Sequence, residues 1–152
     1  MMDFLIFISA NLINILLLIL FISRPLKLRR IEYYCGISMI ILGIPILFAV
    51  AINFNDSREW WTYSLPLFMI VYLIIELFFD YILKLNFRET KLLIPYLIFF
   101  YLGLFGMIGY TFLVKKSFGY VTLATYFAQF LATWYSYSKV GHGERKIIQQ
   151  AR

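Results

Sequence analysis

Residues 63–83 read YSLPLFMIVYLIIELFFDYIL, an apolar run long enough to cross a bilayer that nevertheless contains two carboxylates, Glu76 and Asp80. A transmembrane helix needs about 20 predominantly apolar residues to cross roughly 30 Å of hydrocarbon. Ionisable side chains are costly in that environment, so those that occur there are good markers of function. Tyr72 and Lys84 continue the row of the two carboxylates at four-residue spacing. The run therefore predicts a membrane fold and the position of a site within it.

The composition of the whole chain supports a membrane fold. Of its 152 residues, 62% are hydrophobic and 14% are charged, against roughly 25% charged in soluble proteins. Five continuous apolar runs are present, and they lack the alternating pattern of a membrane β-barrel. The runs are residues 4–22, 33–53, 63–83, 92–114 and 120–139. We predict an all-α integral membrane protein with five transmembrane helices, forming a single domain over residues 1–152 that ends in a short basic tail at 140–152.

The placement of the basic residues predicts the orientation in the membrane. Alternating the direction of the five spans puts eleven Lys and Arg residues on one side and three, Arg58, Lys115 and Lys116, on the other. Cytoplasmic loops are the basic ones, so the amino terminus is expected outside and the carboxyl terminus in the cytoplasm. The net charge of +6 thus reflects membrane topology and contact with lipids, not binding of nucleic acid. The short loops favour the plasma membrane of a prokaryote.

Several kinds of chemistry are disfavoured by what the chain lacks. The first run is longer than the apolar region of a signal peptide and has no basic residue before it, so we expect it to be retained. Cys35 is the sole cysteine and His142 the sole histidine, which argues against a thiol redox pair and against imidazole catalysis inside the bundle. No phosphate-binding or zinc-protease motif is present. We expect no catalytic residue, no metal site and no cofactor.

Two patterns predict where helices pack. Gly103, Gly106 and Gly109 recur every third residue in the fourth run and leave a bare strip on which a neighbouring helix can pack. In the fifth run, five polar side chains fall within a wedge of about 80° at 100° per residue. These are Thr122, Thr125, Gln129, Thr133 and Ser136. The polar stripe is expected to face other helices, a partner protomer or water, and interhelical hydrogen bonding is its simplest use.

Polar residues of different spans converge at one depth when the span midpoints are aligned. Glu76 lies near that depth, where a carboxyl group needs a proton or a partner, so it is the candidate protonatable group. Asp80 lies one turn nearer the cytoplasm and is expected to pair with Lys84. The full set of candidate ligand-binding and proton-coupling residues is Asn11, Asn14, Tyr72, Glu76, Asp80, Tyr101, Tyr126 and Gln129.

Three functions remain open from the sequence. The first is binding or transport of a small, amphipathic or lipid-like solute at the midplane polar site, with Glu76 coupling it to protons. The second is an accessory or scaffold subunit that acts through contacts between helices. The third is a lipid-modifying enzyme at the cytoplasmic face that uses Glu76 and Asp80 with Arg88 or Lys91. Five helices of this length enclose little volume, which disfavours a monomeric aqueous pore and is compatible with a homo-oligomer.

Overall fold

The computed structural model describes residues 1–83 and 90–150, with side chains described as far as residue 139. Within these residues the chain is helical and contains no strand, which confirms the all-α prediction. A π-helical segment, Leu77–Ile82, continues the third helix. The α-helices are α1 (Met2–Ser23), α2 (Arg29–Asn55), α3 (Trp61–Glu76), α4 (Leu93–Val114) and α5 (Lys116–Gln150). Helices suit this sequence because each one satisfies its own backbone hydrogen bonds where no water is present.

Four helical stretches of the described residues are long and apolar enough to cross a membrane. They are Met2–Ser23, Arg29–Asn55, Trp61–Ile82 and Leu93–Val114. These four stretches match the first four predicted spans and indicate a membrane location. The fifth predicted span lies within α5 but is not among the four, because α5 carries the polar stripe and several tyrosines that lower its apolar character.

The first helix is packed on several sides. It contacts α2, α4 and α5, while α3 packs between α2 and α4. The buried apolar residues of α1 recur at intervals of three and four, and so form one face of the helix. They are Ile6, Ala10, Ile13, Leu17 and Leu20, with Phe21 beside Leu20. Apolar residues occur all around α1. Its contacts with other helices, and not its hydropathy, therefore decide which face is buried.

The predicted glycine strip is where α3 and α4 approach each other. A Cβ atom built on Gly106 would lie 2.6 Å from the backbone oxygen of Leu65, and one on Gly103 would lie 3.1 Å from the Cα of Met69. The first distance is far shorter than a van der Waals contact, so a side chain there would force the two backbones apart. The strip therefore fixes the spacing between α3, which carries Glu76, and α4.

One end of the bundle is closed by an ion pair that joins distant parts of the chain. Arg58 donates two hydrogen bonds to the Asp3 carboxylate, from Nη1 to Oδ1 at 2.9 Å and from Nη2 to Oδ2 at 3.2 Å. Arg58 Nη1 also donates to Asn53 Oδ1 at 3.0 Å, and the hydroxyl of Tyr110 donates to Asp3 Oδ1 at 2.6 Å. These four residues, which we call the Asp3 clamp, tie α1 and α4 to the turn between α2 and α3.

Local backbone geometry delivers Arg58 to this clamp. Ser57, just beyond the end of α2, has a positive φ of 51°, and the Arg58 N–H donates to the Asn53 carbonyl at 3.1 Å. This bond pattern terminates a helix, and the Arg58 side chain that follows it reaches Asn53 and Asp3. The hydrogen bonds to Asp3 raise the pKa of Arg58, so the guanidinium stays charged.

Candidate functional site

Glu76 is a buried carboxylate held by a tyrosine of the neighbouring helix. Its residue is 4% exposed, and the hydroxyl of Tyr96 donates to Glu76 Oε2 at 2.5 Å. The hydroxyl of Tyr72 lies 3.3 Å from that of Tyr96. Either hydroxyl can donate in this second contact, and Tyr72 is the donor when Tyr96 donates to an ionised Glu76. The result is a polar chain from Tyr72 through Tyr96 to Glu76 that crosses the interface between α3 and α4.

A small apolar cavity of about 40 Å³ adjoins this polar chain. A water molecule needs roughly 10–15 Å³ on this measure, so the space admits a few waters or a slender hydrocarbon segment but no bulky ligand. Apolar and aromatic side chains of α1, α3, α4 and α5 form most of its wall. The lining residues are Leu17, Leu20, Phe21, Arg24, Met39, Tyr72, Glu76, Leu93, Tyr96, Leu97, Phe100, Tyr101, Thr133 and Tyr137.

A second, more open cavity of about 270 Å³ lies at the end of the bundle opposite the Asp3 clamp. We call it the charged vestibule, because it brings together two arginines and three carboxylates with two tyrosines. Its lining is Leu20, Arg24, Arg29, Glu32, Tyr33, Glu76, Asp80 and Tyr81. Leu20, Arg24 and Glu76 line both cavities. Glu76 therefore lies where an apolar space meets a charged one.

Arg24 contributes the positive charge at this junction. It follows the last residue of α1, and its Nε lies 3.9 Å from Glu32 Oε2. Its guanidinium carbon also lies 4.9 Å from the centre of the Phe21 ring. A guanidinium that packs on an aromatic face and pairs with a carboxylate is well placed to bind an anionic group with its planar fork of donors.

An apolar groove runs along the surface of α4 beside the small cavity. It encloses about 400 Å³ and is lined by Ile94, Leu97, Ile98, Tyr101, Leu102 and Phe105. Leu97 and Tyr101 also line the small cavity, so these two side chains lie at the boundary between the cavity and the groove. We call this surface the α4 groove. The vestibule thus adjoins the small cavity, and the small cavity adjoins the α4 groove.

A π-helical segment follows Glu76 and contains Asp80. At its end, the Leu83 N–H donates to the Phe78 carbonyl, five residues back, at 2.8 Å. Asp80 lines the vestibule but not the small cavity. Its expected partner Lys84 lies outside the described residues.

Asn11 and Asn14 bind α5 instead of lining either cavity. Asn11 Nδ2 donates to Thr122 Oγ1 at 3.2 Å, and Thr125 Oγ1 donates to Asn11 Oδ1 at 2.9 Å. Asn14 Nδ2 donates to Thr125 Oγ1 at 3.0 Å and to the Thr122 carbonyl at 3.4 Å. Thr122 and Thr125 of the polar stripe therefore join α5 to α1. This is the interhelical hydrogen bonding that the sequence predicts for the stripe.

The two other candidates on α5 do not themselves line the described cavities, although each contacts a residue that does. Tyr126 packs among aromatic rings, with its ring centre 5.6 Å from that of Phe105. Gln129 is 2% exposed and donates from Nε2 to Thr133 Oγ1 at 3.1 Å. Of the predicted site residues, the structure thus groups Tyr72, Glu76, Asp80 and Tyr101 around the two cavities and places Asn11, Asn14, Tyr126 and Gln129 elsewhere.

Sequence reasoning missed two important residues of the site. In the sequence, Arg24 is only one of the eleven basic residues that predict the orientation, and no motif marks Tyr96. A sequence signal existed for both, because each stands at the end of a span on the same predicted side as Asp80. No pattern in the sequence indicates that Arg24 and Tyr96 lie close to Glu76.

The remaining sequence candidates for metal or lipid chemistry are placed as follows. Among those residues, no three His, Cys, Asp or Glu side chains come together as a metal-binding group. Arg88, one of the basic residues considered for lipid chemistry, lies outside the described residues, as does the side chain of His142. Lys91 is described and exposed. The arrangement can bind charge of either sign in the vestibule and an apolar group beside it.

Comparison with protein-family models, with curated proteins and with solved structures found no match to this chain.

Proposed function

We propose that this chain is a membrane protein that binds an amphipathic solute, with Glu76 as the protonatable group of the binding site. The observation that carries the proposal is the position of Glu76, 4% exposed, at the junction of the small apolar cavity and the charged vestibule. A ligand with one polar and one apolar end matches such a junction. Binding is the step that a carrier and a solute-binding protein share.

The electrostatics of the junction support a role for a proton. A carboxylate that leaves water must be compensated by donors or by protonation, and Tyr96 supplies one donor at 2.5 Å. A solute with a donor or a positive charge supplies further compensation when it enters the vestibule. Protonation of Glu76 then weakens its attraction for a cation, so uptake and release of the solute become linked to a proton.

We further propose the complete topology that this function requires. The α5 helix crosses the membrane as a fifth span, since its polar stripe meets α1 and is thereby shielded from lipid. The excess of basic residues places the vestibule at the cytoplasmic face and the Asp3 clamp outside, in the plasma membrane of a prokaryote. Labelling with a membrane-impermeant maleimide, in a background that lacks Cys35, tests this. Ser57→Cys is expected to react in intact cells and Leu26→Cys after permeabilisation, and the reverse pattern would refute the orientation.

Native mass spectrometry of the gently solubilised chain tests the binding function without a guess about the solute. The wild type is expected to retain a discrete amphipathic molecule, and Glu76→Gln to retain it at least about tenfold less, since a charged hydrogen-bonding partner is worth about 1.5–3 kcal/mol. Asp56→Asn is the matched control, because it removes an exposed carboxylate at the opposite end. Equal retention by Glu76→Gln and the wild type would overturn the proposal.

A second candidate is turnover of the bound molecule. The observation that favours it is that Glu76 and Asp80 line one vestibule, where two carboxylates can act as acid and base. Incubation of the wild type and Asp80→Asn with lipid extracts tests it. A product that depends on Asp80 would support an enzyme, and its absence would leave binding alone.

The scaffold alternative receives less support from the same contacts. The glycine strip, which motivates it, packs within the chain against α3, and Thr122 and Thr125 of the polar stripe bind α1. These parts of the two features are not available to a separate protein without loss of an internal contact.

A further inference from the structure

The class of solute follows from the three spaces that adjoin Glu76, and this inference rests on the binding function proposed above. We infer that the solute is a zwitterionic phospholipid with a single acyl chain, bound with its head group in the charged vestibule and its chain in the α4 groove.

The length and position of the α4 groove fit a chain of the adjacent leaflet. The groove runs from Ile94 to Phe105, which is about 16 Å along the helix at a rise of about 1.5 Å per residue. Half of a bilayer's hydrocarbon thickness is about 15 Å. Ile94 stands in the first turn of α4, at the end of the bundle where the vestibule opens, so the groove leads from that membrane face to the midplane. A lipid whose head lies in the vestibule therefore has its chain at the depth of the groove.

The lining of the groove is suited to hydrocarbon. Ile94, Ile98 and Phe105 are all more than half exposed in the bundle, and no polar side chain except Tyr101 lines the groove. Any exposed apolar surface of a membrane helix contacts lipid chains. What distinguishes this groove is its continuity, through Leu97 and Tyr101, with a cavity that ends at a buried carboxylate.

The size of the connecting cavity selects one chain. It measures about 40 Å³, and tyrosine and phenylalanine rings from α3 and α4 narrow it. The ring centres of Tyr72 and Phe100, for example, lie 5.2 Å apart. One glycerol-linked chain fits past such rings after small side-chain movements, whereas two chains require the helices to separate.

The charges of the vestibule select a zwitterion. Arg24 and Arg29 offer guanidinium groups, which bind phosphate through paired hydrogen bonds. Glu32 and Asp80 offer negative charge to an ammonium, and Tyr33 and Tyr81 add aromatic faces, with ring centres 5.6 Å apart, that attract cations. A purely anionic head group would meet the carboxylates unfavourably, and a purely cationic one would meet the arginines. A phosphate joined to an amine satisfies both.

A ligand series on the full-length wild-type chain provides the first test. Native mass spectrometry in detergent is expected to show retention of lysophosphatidylethanolamine at least about tenfold above three related probes. Glycerophosphoethanolamine lacks the chain, a fatty acid lacks the zwitterionic head, and phosphatidylethanolamine has two chains. Equal retention of the two-chain lipid would overturn the single-chain argument, and equal retention of the fatty acid would overturn the head-group argument.

Paired variants test the two halves of the site separately. Leu97→Trp fills the connection between the cavity and the α4 groove, and Leu113→Trp places the same ring on α4 outside the groove. Arg29→Gln removes a vestibule charge, and Arg30→Gln removes the charge of its exposed neighbour outside the lining. The first variant of each pair is expected to reduce lysophospholipid retention about tenfold and the second to leave it unchanged. Equal effects within both pairs would refute the assigned pose.

The result with Glu76→Gln separates this inference from the broader proposal. If Glu76→Gln loses a copurified molecule that lysophosphatidylethanolamine does not displace, the binding function stands and the assignment of the solute fails. If Glu76→Gln retains every ligand that the wild type retains, both fail. Displacement of the copurified molecule by lysophosphatidylethanolamine, together with loss from Glu76→Gln, supports both. The ligand series needs no variant, so it decides the assignment even where Leu97→Trp does not fold.

Discussion

At the Asp3 clamp, one arginine meets one carboxylate through two hydrogen bonds, with Asn53 and Tyr110 completing the contact. At the charged vestibule, two arginines and three carboxylates surround about 270 Å³ of open space. The two ends use the same types of side chain. The difference lies in whether the charged groups close upon one another or line a space, and this difference separates a structural contact from a candidate binding site.

The comparison also shows that a count of charges along the sequence does not distinguish a structural arginine from one at a candidate binding site. Arg58 and Arg24 are both loop arginines next to a span. One fastens α1 and α4 to a turn, whereas the other stands between an apolar cavity and a vestibule. Substitutions at the two ends are therefore expected to separate stability from ligand retention.

The largest effect is expected from Gly106→Ala, which tests the helix contact that supports both ends. A methyl group 2.6 Å from the Leu65 backbone oxygen must push α3 away from α4, at a cost of about 3 kcal/mol of unfolding free energy. Thermal unfolding in detergent measures the loss. Gly109→Ala is the matched control, because its Cβ would lie 3.7 Å from Leu65 Cδ1, an ordinary contact. Equal stability of the two variants would contradict the close packing at Gly106.

A smaller effect is expected from Arg58→Met, which breaks the clamp alone. Asp3 and Tyr110 lose their charged partner, and because both members of the pair are partly exposed the cost is about 1–2 kcal/mol. Ligand retention should remain at the wild-type level. The control is Arg30→Met, at an exposed arginine outside the clamp. Loss of the ligand from Arg58→Met with unchanged stability would erase the distinction between the two ends.

The smallest effect is expected from Tyr96→Phe, which sharpens the comparison at the vestibule. It removes the hydroxyl that donates to Glu76 at 2.5 Å but keeps the ring that packs against Tyr72. Retention of the ligand is expected to fall about fivefold, equivalent to about 1 kcal/mol, with the unfolding temperature nearly unchanged. Tyr120→Phe, at an exposed tyrosine outside the described cavities, should retain the ligand normally. If both variants retain it equally, Tyr96 does not position Glu76.

Part of the candidate site was predictable because of the cost of burying charge. A carboxylate in the middle of an apolar run is conspicuous, so Glu76 stands out from the sequence with Tyr72 one turn away. The local backbone around Asp80 was harder to foresee, since Asp80 lies within the π-helical segment that follows Glu76. Nothing in an apolar run of this kind signals a change from α-helical to π-helical hydrogen bonding.

Residues that the sequence places at one membrane depth are separated in the tertiary structure. Asn11, Asn14, Tyr72 and Glu76 have similar predicted depths, but depth does not specify the direction in which a helix face points. Asn11 and Asn14 turn toward α5 and bind Thr122 and Thr125. Rotation of each helix about its axis depends on packing, and helices that are apolar on every face leave that rotation unspecified by hydropathy.

The sequence by itself determined the all-helical fold, the apolar helices that are long enough to cross a membrane, the glycine strip and the presence of a buried carboxylate. Each of these follows from a local rule: the length of an apolar run, the absence of a side chain, or the cost of a charge in lipid. The tertiary structure alone decided that Arg24 and Tyr96 join Glu76 and that Arg58 joins Asp3. Such contacts connect residues far apart in the chain, and side-chain packing between helices selects them. No periodicity within a single helix specifies such a contact.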